Sequence, residues 1–153
     1  DEIKVTHVGG PRQRFESLRD GVIDAAAVME PWITVAEKLG FKLIAEAFYV
    51  GSEIASPDLD AATFTAINRA VSRAARKLTQ DPRPYLHYLI EDVPESIVKL
   101  EVSDFRLGRF RYVDPQPYPE AEFQRTYDWM VQWGLIDPDR SFEDLVDNRI
   151  AVG

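Results

Sequence analysis

Short apolar stretches alternate with amphipathic ones through the first 48 residues, and this alternation limits the possible folds more than any other feature. Two amphipathic stretches predict helices: one begins at Pro11 and ends at Gly21, and "EPWITVAEKLG" ends at Gly40. The three stretches around them have the length and apolar content of strands: "EIKVTHV" at 2–8, "VIDAAAVM" at 22–29 and "FKLIAEA" at 41–47. The order β-α-β-α-β predicts an α/β fold with parallel strands and right-handed crossovers.

The remainder of the chain predicts a connector and then a mainly helical part. Turn residues dominate 49–57, which is interpreted as a hinge, and a long helix is predicted from Asp60 to Gln80. Further helices are predicted after Pro82, over 93–100, after Pro119 and after Ser141. The predicted organisation is a βαβαβ portion over 1–48, a hinge over 49–57 and a helical part over 58–153. Three strands make a narrow sheet, which favours a piece of a larger fold.

Charge and composition argue against several classes of function. The formal net charge of −8 argues against nucleic-acid binding, which needs basic residues to neutralise phosphates. It also argues against a basic membrane-surface role. The absence of cysteine excludes disulfides, thiolate metal sites and cysteine nucleophiles. No apolar run reaches membrane-spanning length, so no direct membrane span is predicted.

Two predicted turns follow strands and precede helices, where open parallel sheets place their ligands. In the first turn, Gly9 and Gly10 permit a close approach of the backbone, and Arg12 adds positive charge. The free N–H groups of the following helix are suited to an anion. A tight turn without any ligand explains the same glycine pair.

The second turn, "MEPW" at residues 29–32, places a carboxylate and an indole side by side. Glu30 is favourable at a helix start because of the helix dipole, and it is equally suited to accept hydrogen bonds from a ligand. Trp32 begins the apolar stripe of its helix, and it is also a candidate stacking surface for a ring-shaped ligand. Each residue therefore keeps a structural and a ligand-binding interpretation.

The sequence gives no support for catalysis, and no catalytic residue, metal ligand or cofactor is predicted. It contains no G-x-S-x-G, H-E-x-x-H, P-loop or G-x-G-x-x-G motif. The stretch "FRLGRFRY" at 105–112 mixes arginine with aromatic residues, in the manner of a small nucleic-acid patch. In an acidic chain, arginines covering aromatic surface beside carboxylates are the better explanation.

The run from Gly9 to Ala47, "GGPRQRFESLRDGVIDAAAVMEPWITVAEKLGFKLIAEA", resembles the second lobe of type 2 solute-binding proteins of ABC importers. The resemblance is closest to the group that binds nitrate, alkanesulfonates, taurine and thiamine-pyrimidine precursors. The matching features are Gly9-Gly10, Arg14, the phrase "DGVIDAAAV" and Glu30-Pro31-Trp32. The tail "FQRTYDWMVQWGLID" is also similar to the last helices of that group, whereas 100–120 match poorly.

The resemblance implies a small ligand held in a cleft between two lobes, with Gly9, Gly10, Arg12, Glu30, Trp32 and Tyr49 as its contacts. A sulfonate or nitrate would use the Gly9-Gly10 turn, whereas a heterocycle would stack on Trp32 or Tyr49 and donate to Glu30. Because a carboxylate disfavours an anion, a neutral or N–H-rich heterocycle is preferred.

Members of that group are longer and have two lobes, so the resemblance implies that this chain is a C-terminal fragment. Its partners would be the small ligand and the permease and ATPase subunits of an importer. Its location would be periplasmic, or exported and anchored through a segment outside this chain. Two alternatives stay open: an enzyme of small-molecule metabolism on the same scaffold, and the ligand-sensing domain of a regulator. The cysteine-rich motif of the enzymatic branch is absent.

Overall fold

Helices are the regular elements of this chain in the computed structural model, which describes residues 3–49, 51, 55–56 and 58–148. They are α1 (Pro11–Arg19), α2 (Trp32–Lys38), α3 (Ala61–Gln80), α4 (Leu86–Glu91), α5 (Glu120–Gln132) and α6 (Phe142–Leu145). Short 3₁₀ turns lie at Arg83–Tyr85, Val102–Asp104 and Leu107–Arg109. Of the predicted hinge at 49–57, residues 50, 52–54 and 57 lie outside the described residues.

Local signals account for the ends of these helices. Pro11 occupies the first turn of α1, where its missing N–H removes no hydrogen bond. Gly21 and Gly40 follow α1 and α2 with φ angles of 70° and 90°, a conformation that glycine adopts without strain. Asp60 begins α3 by accepting the backbone N–H groups of Ala62 and Thr63, each at 2.9 Å. Five of the helices predicted from sequence are therefore present close to their expected positions, and the restart after Pro82 is present as α4.

The predicted α/β fold is wrong, since the described residues contain no strand and no sheet. The stretches 3–8, 22–29 and 41–47 have the apolar content of strands but no ladder of backbone hydrogen bonds to a neighbour. Their apolar side chains are mostly in water: Ile3 is 88%, Val22 71% and Ile44 86% exposed. Without a paired neighbour and a covering layer, an apolar pattern does not by itself produce a strand. The helix predicted over 93–100 is also absent.

The chain divides into two compact units. Unit 1 comprises the described parts of Asp1–Phe48 and Gln80–Arg111, and unit 2 those of Tyr49–Thr79 and Tyr112–Gly153. In unit 1, α1 packs on α2, and α4 packs on the turns at Arg83–Tyr85 and Val102–Asp104. The buried core of this unit consists of Phe15, Trp32, Val35, Leu86, Val93, Leu100 and Phe105.

Each unit contains a buried aromatic side chain that packs against a second aromatic ring. In unit 1, Phe15 is 1% exposed and stacks on Trp32 with the ring centroids 5.2 Å apart. In unit 2, Phe123 of α5 is buried and contacts Phe142 of α6 edge to face, with the centroids 5.1 Å apart. Such aromatic pairs contribute about 0.5–1.5 kcal/mol beyond the area that they bury.

Candidate functional site

Glu30 lies at the start of α2, and each of its carboxylate oxygens accepts a hydrogen bond from a different residue. Its Oε2 accepts a hydrogen bond from the backbone N–H of Thr34 at 3.2 Å, so the side chain caps its own helix. Its Oε1 accepts a hydrogen bond from Nη1 of Arg109 at 3.2 Å. The side chain is 12% exposed. The structural interpretation of this carboxylate therefore agrees with its hydrogen bond to α2, and the ligand-binding interpretation stays a prediction.

Arg109 is the centre of that cluster, which we call the Arg109 cluster and which comprises Arg109, Arg106, Glu30, Glu37 and Glu46. Nε of Arg109 donates to Glu46 at 2.6 Å, and Nη1 donates to Glu37 at 2.7 Å. Arg106 pairs with the other oxygen of Glu37 at 2.9 Å. The Arg109 side chain is only 5% exposed, so its charge is buried against three carboxylates. One guanidinium thus connects the turn before α2, α2 itself, the segment 41–47 and the last 3₁₀ turn.

Electrostatics within this cluster favour the charged forms of Glu37 and Arg109. The hydrogen bond from Arg109 lowers the pKa of Glu37, with the charges of Arg109 and Arg106 acting in the same direction and burial opposing them. The hydrogen bond to Glu37 correspondingly raises the pKa of Arg109, although burial opposes it. A carboxylate with a lowered pKa is a weak base, so Glu37 is poorly suited to proton transfer. Two guanidinium groups facing three carboxylates leave a negative surplus.

Two buried polar atoms beside Glu30 have no hydrogen-bond partner among the described residues. They are Nη2 of Arg109 and Oγ1 of Thr34, both in residues that already contact Glu30 through another atom. Buried polar groups in proteins nearly always have a partner, and leaving one unpaired costs about 1–3 kcal/mol. The guanidinium Nη2 of Arg109 and the hydroxyl of Thr34 are therefore unsatisfied among the described residues.

The Gly9-Gly10 turn and the segment leading to Glu30 are tied together by Arg14. Its Nε donates to the carbonyl of Gly9 at 2.8 Å, and its Nη1 donates to the carbonyl of Ala27 at 3.2 Å. Gly9 has a φ of 93°, where a side chain would be strained. The structure thus links the glycine turn to the segment before the second turn, through Arg14, a residue that was noted only as part of the family resemblance.

The other predicted contacts have no contact with Glu30 shown among the described residues. Arg12 is on the surface of α1 and pairs with Glu16 one turn later at 2.9 Å. Trp32 is buried in the core of unit 1, where Phe15 occupies its ring face. Tyr49 is 77% exposed and belongs to unit 2. Glu30 and the glycine turn are connected through backbone and Arg14, whereas Trp32 has a packing role in this structure.

The sequence interpretation missed Arg109, Glu37 and Glu46 as site residues. The stretch 105–112 carried the available signal, and its explanation as arginines beside carboxylates and aromatic rings is confirmed. Arg111, from the same stretch, places its guanidinium carbon 3.7 Å from the centre of the Phe48 ring. The pairing of Glu30 with Arg109 spans 79 residues, and no local pattern encodes it.

Other features of the described residues do not add a second site of this kind. A surface cavity of about 750 Å³ in unit 1 is lined by Arg83, Glu101, Val102, Ser103, Phe105 and Leu107. No three His, Asp or Glu side chains in the described part of the chain are arranged to hold a metal ion. In that same part, no helix has both the length and the apolar content to cross a membrane.

Glu30 thus contacts Arg109 directly, whereas the glycine turn is bonded through Arg14 to Ala27, three residues before Glu30. Comparisons with protein-family models, curated proteins and solved structures found no match for this chain.

Proposed function

We propose that this chain binds a small organic ligand at the Arg109 cluster, as the solute-capturing component of a transport system. The observation that carries the proposal is the buried and unpaired Nη2 of Arg109 beside three carboxylates. A ligand oxygen would accept a hydrogen bond from Nη2 of Arg109. N–H groups of the same ligand would donate to Glu30, Glu37 or Glu46. Binding alone is proposed, without a chemical step.

The two backbone contacts of Arg14 support this location. Arg14 holds the carbonyls of Gly9 and Ala27, so the glycine turn lies beside the segment that leads into Glu30. A ligand at Glu30 would therefore meet backbone groups of a second turn as well. Small-molecule sites are commonly built in this way, from a few polar groups fixed by surrounding elements.

Charge favours one of the two ligand classes. An oxyanion would enter a region where three carboxylates already outnumber two guanidinium groups, so its approach is opposed. A neutral ring that carries adjacent N–H and C=O groups meets both requirements, since a carboxylate accepts through about four lone-pair positions and Glu30 uses two contacts. A cyclic amide such as a pyrimidine has this pattern, and we favour it over a sulfonate or nitrate.

Capture of a solute would make the chain one part of an importer. Its partners in this proposal are the permease and ATPase subunits, and its location is periplasmic or at the outer side of the membrane. The support for this step is the resemblance of residues 9–47 to solute-binding proteins, together with the ligand chemistry of the Arg109 cluster.

The test is a binding assay with three probes: a pyrimidine panel, an alkanesulfonate and nitrate. Titration calorimetry and native mass spectrometry are expected to detect the pyrimidines and to find the two anions weaker. Glu30→Gln, which keeps the size of the side chain, is expected to weaken binding at least about tenfold, or about 1.4 kcal/mol. The matched control is Glu16→Gln, a carboxylate on the surface of α1.

Two results would overturn the proposal. One is that no probe binds the folded chain. The other is that Glu30→Gln and Glu16→Gln bind equally well, with far-UV circular dichroism reporting the same helix content in both. Tighter binding of nitrate than of any pyrimidine would reject the ligand class.

A further inference from the structure

Helix α3 carries an unpaired basic face in an acidic chain. It contains four Arg and Lys and no Asp or Glu, although the whole chain has a net charge of −8. Arg69, Arg73 and Lys77 follow one another at intervals of four residues, so they share one face of the helix. All three are exposed and have no ion pair within the described part of the chain. The fourth, Arg76, pairs with Asp114 at 3.2 Å.

The position of this face argues against a lipid surface as its partner. A helix that lies in a membrane interface exposes an apolar face beside its basic residues. In α3 the helical spacing places Val71 and Ala75 on the side opposite Arg73, and Ala75 is already buried within unit 2. Part of the apolar side of α3 is therefore covered within unit 2 and is not free to enter a lipid surface, whereas the exposed basic face fits a partner of opposite charge.

Unit 2 also carries a surface with complementary properties. Trp129 and Trp133 of α5 are 53% and 67% exposed, with the ring centroids 6.2 Å apart. They lie within residues 120–148, which contain eight Asp and Glu and only two Arg. Exposed indole rings attract Arg and Lys through cation–π contact, and the excess of carboxylates in this segment adds charge of the opposite sign, although Arg125 shares the helix face of the two rings. We call Trp129, Trp133 and the acidic residues of 120–148 the acidic tryptophan surface.

We propose that unit 2 mediates self-association, with the basic face of α3 in one copy bound to the acidic tryptophan surface of a second copy. A two-fold axis makes this contact twice, because each copy supplies both surfaces. Since each copy carries a net charge of −8, two copies repel one another in most orientations. The two copies attract one another in the orientation that places the basic face of α3 against the acidic tryptophan surface. This inference goes beyond the proposed function, since the Arg109 cluster lies in unit 1.

Sedimentation velocity of the intact chain over about 1–100 µM tests the proposal. The wild type is expected to form a dimer within this range. Charge reversal on α3 is expected to raise the dissociation constant at least about tenfold. The reversing variant is the triple substitution Arg69→Glu, Arg73→Glu and Lys77→Glu.

A matched control separates a specific contact from added net charge. Three exposed lysines of unit 1, when replaced by glutamate, change the net charge by the same amount and are expected to preserve the dimer. The control substitutions are Lys4→Glu, Lys42→Glu and Lys99→Glu. Circular dichroism of both triple variants checks that the helices are intact.

A second variant reverses the charges on the acidic tryptophan surface, so the proposal can still be refuted if the α3 variant is unstable. A chain with Asp128→Lys, Asp137→Lys and Asp139→Lys is expected to associate with the α3 variant when the two are mixed, although each alone is weakened. Trp129→Ala with Trp133→Ala is expected to weaken the wild-type dimer.

Three outcomes would overturn the inference. These are a wild type that stays monomeric throughout the range, an α3 variant that dimerises as well as the lysine control, and binding of α3 to anionic phosphatidylserine vesicles without any dimer.

Discussion

Replacing Arg109 by methionine removes the cation that three carboxylates share. The side chain is 5% exposed and contacts Glu46, Glu37 and Glu30 at 2.6, 2.7 and 3.2 Å. Removing one partner of a buried ion pair costs about 3–5 kcal/mol, because the other charge is left buried and unpaired. Here Glu37 and Glu46 are 22% and 34% exposed, so water solvates part of the remaining charge. We expect a loss of about 2–3 kcal/mol in the free energy of unfolding at neutral pH.

The loss is expected to depend on pH, and the sign follows from Glu37. Its pKa in the folded chain is lowered by the hydrogen bond from Arg109, below an ordinary value of 4.5. The stabilisation is therefore fully present above that ordinary value, and it is lost as the pH falls through the lowered pKa. In acid, protonation also relieves the repulsion between the carboxylates that Arg109→Met leaves behind. The difference between wild type and variant should shrink accordingly.

Urea unfolding measured by tryptophan fluorescence provides the assay. Trp32 is buried in unit 1, so a background with Trp129→Phe and Trp133→Phe makes it the sole reporter of that unit. Arg106→Met is the control, since the Arg106 side chain is 65% exposed and its loss should cost no more than about 0.5 kcal/mol. A loss for Arg109→Met below about 0.5 kcal/mol, or one that is equal at neutral and acid pH, would refute the reasoning.

Two further substitutions in unit 1 test its packing and its charge pairs. Phe15→Ala should lower the free energy of unfolding by about 3–5 kcal/mol in the same fluorescence assay, because the ring is 1% exposed, and a loss below about 1 kcal/mol would contradict its role as a core residue. Asp104→Asn should cost about 0.5–1 kcal/mol at neutral pH, because Asp104 accepts a 2.6 Å hydrogen bond from Lys38. That bond lowers the pKa of Asp104, so the cost should vanish as the pH falls through the lowered value, and a cost that persists in strong acid would exclude the ion pair as its cause.

The helices of this chain were largely predictable because their signals are local. Pro11 and Gly21 enclose α1, and the capping box that the sequence suggested at Ser141 and Asp144 is present at the start of α6. A helix cap or a terminal glycine depends on contacts within a few residues, so the local sequence is sufficient to predict where the helix begins or ends.

The strands were mispredicted because their cause is not local. Ile3 and Val5 belong to an apolar pattern typical of a strand, yet they are 88% and 91% exposed and their segment has no paired neighbour in the described chain. An alternating pattern states which face a strand would bury, but it does not supply the partner on which the strand depends.

The candidate site was predictable only in part for a similar reason. Glu30 stood out through its position beside Pro31 and Trp32, and its cap on α2 follows from that position. Arg109 joins it from 79 residues away, and Glu46 joins from a segment that was assigned to a strand. The composition of 105–112 indicated arginines near carboxylates, but only the folded chain identifies which carboxylates they are.

Arg14 has a mechanical consequence that follows from the shape of its side chain. A guanidinium is a rigid, planar fork, so the carbonyls of Gly9 and Ala27 that it holds are fixed at nearly constant separation. A lysine, with a single ammonium on a flexible stem, does not impose that spacing. Helix α1 is therefore coupled through Arg14 to both carbonyls, and we expect a displacement at Gly9 to be transmitted to Ala27. A spin label at Gln13 of α1 would register an event at either turn.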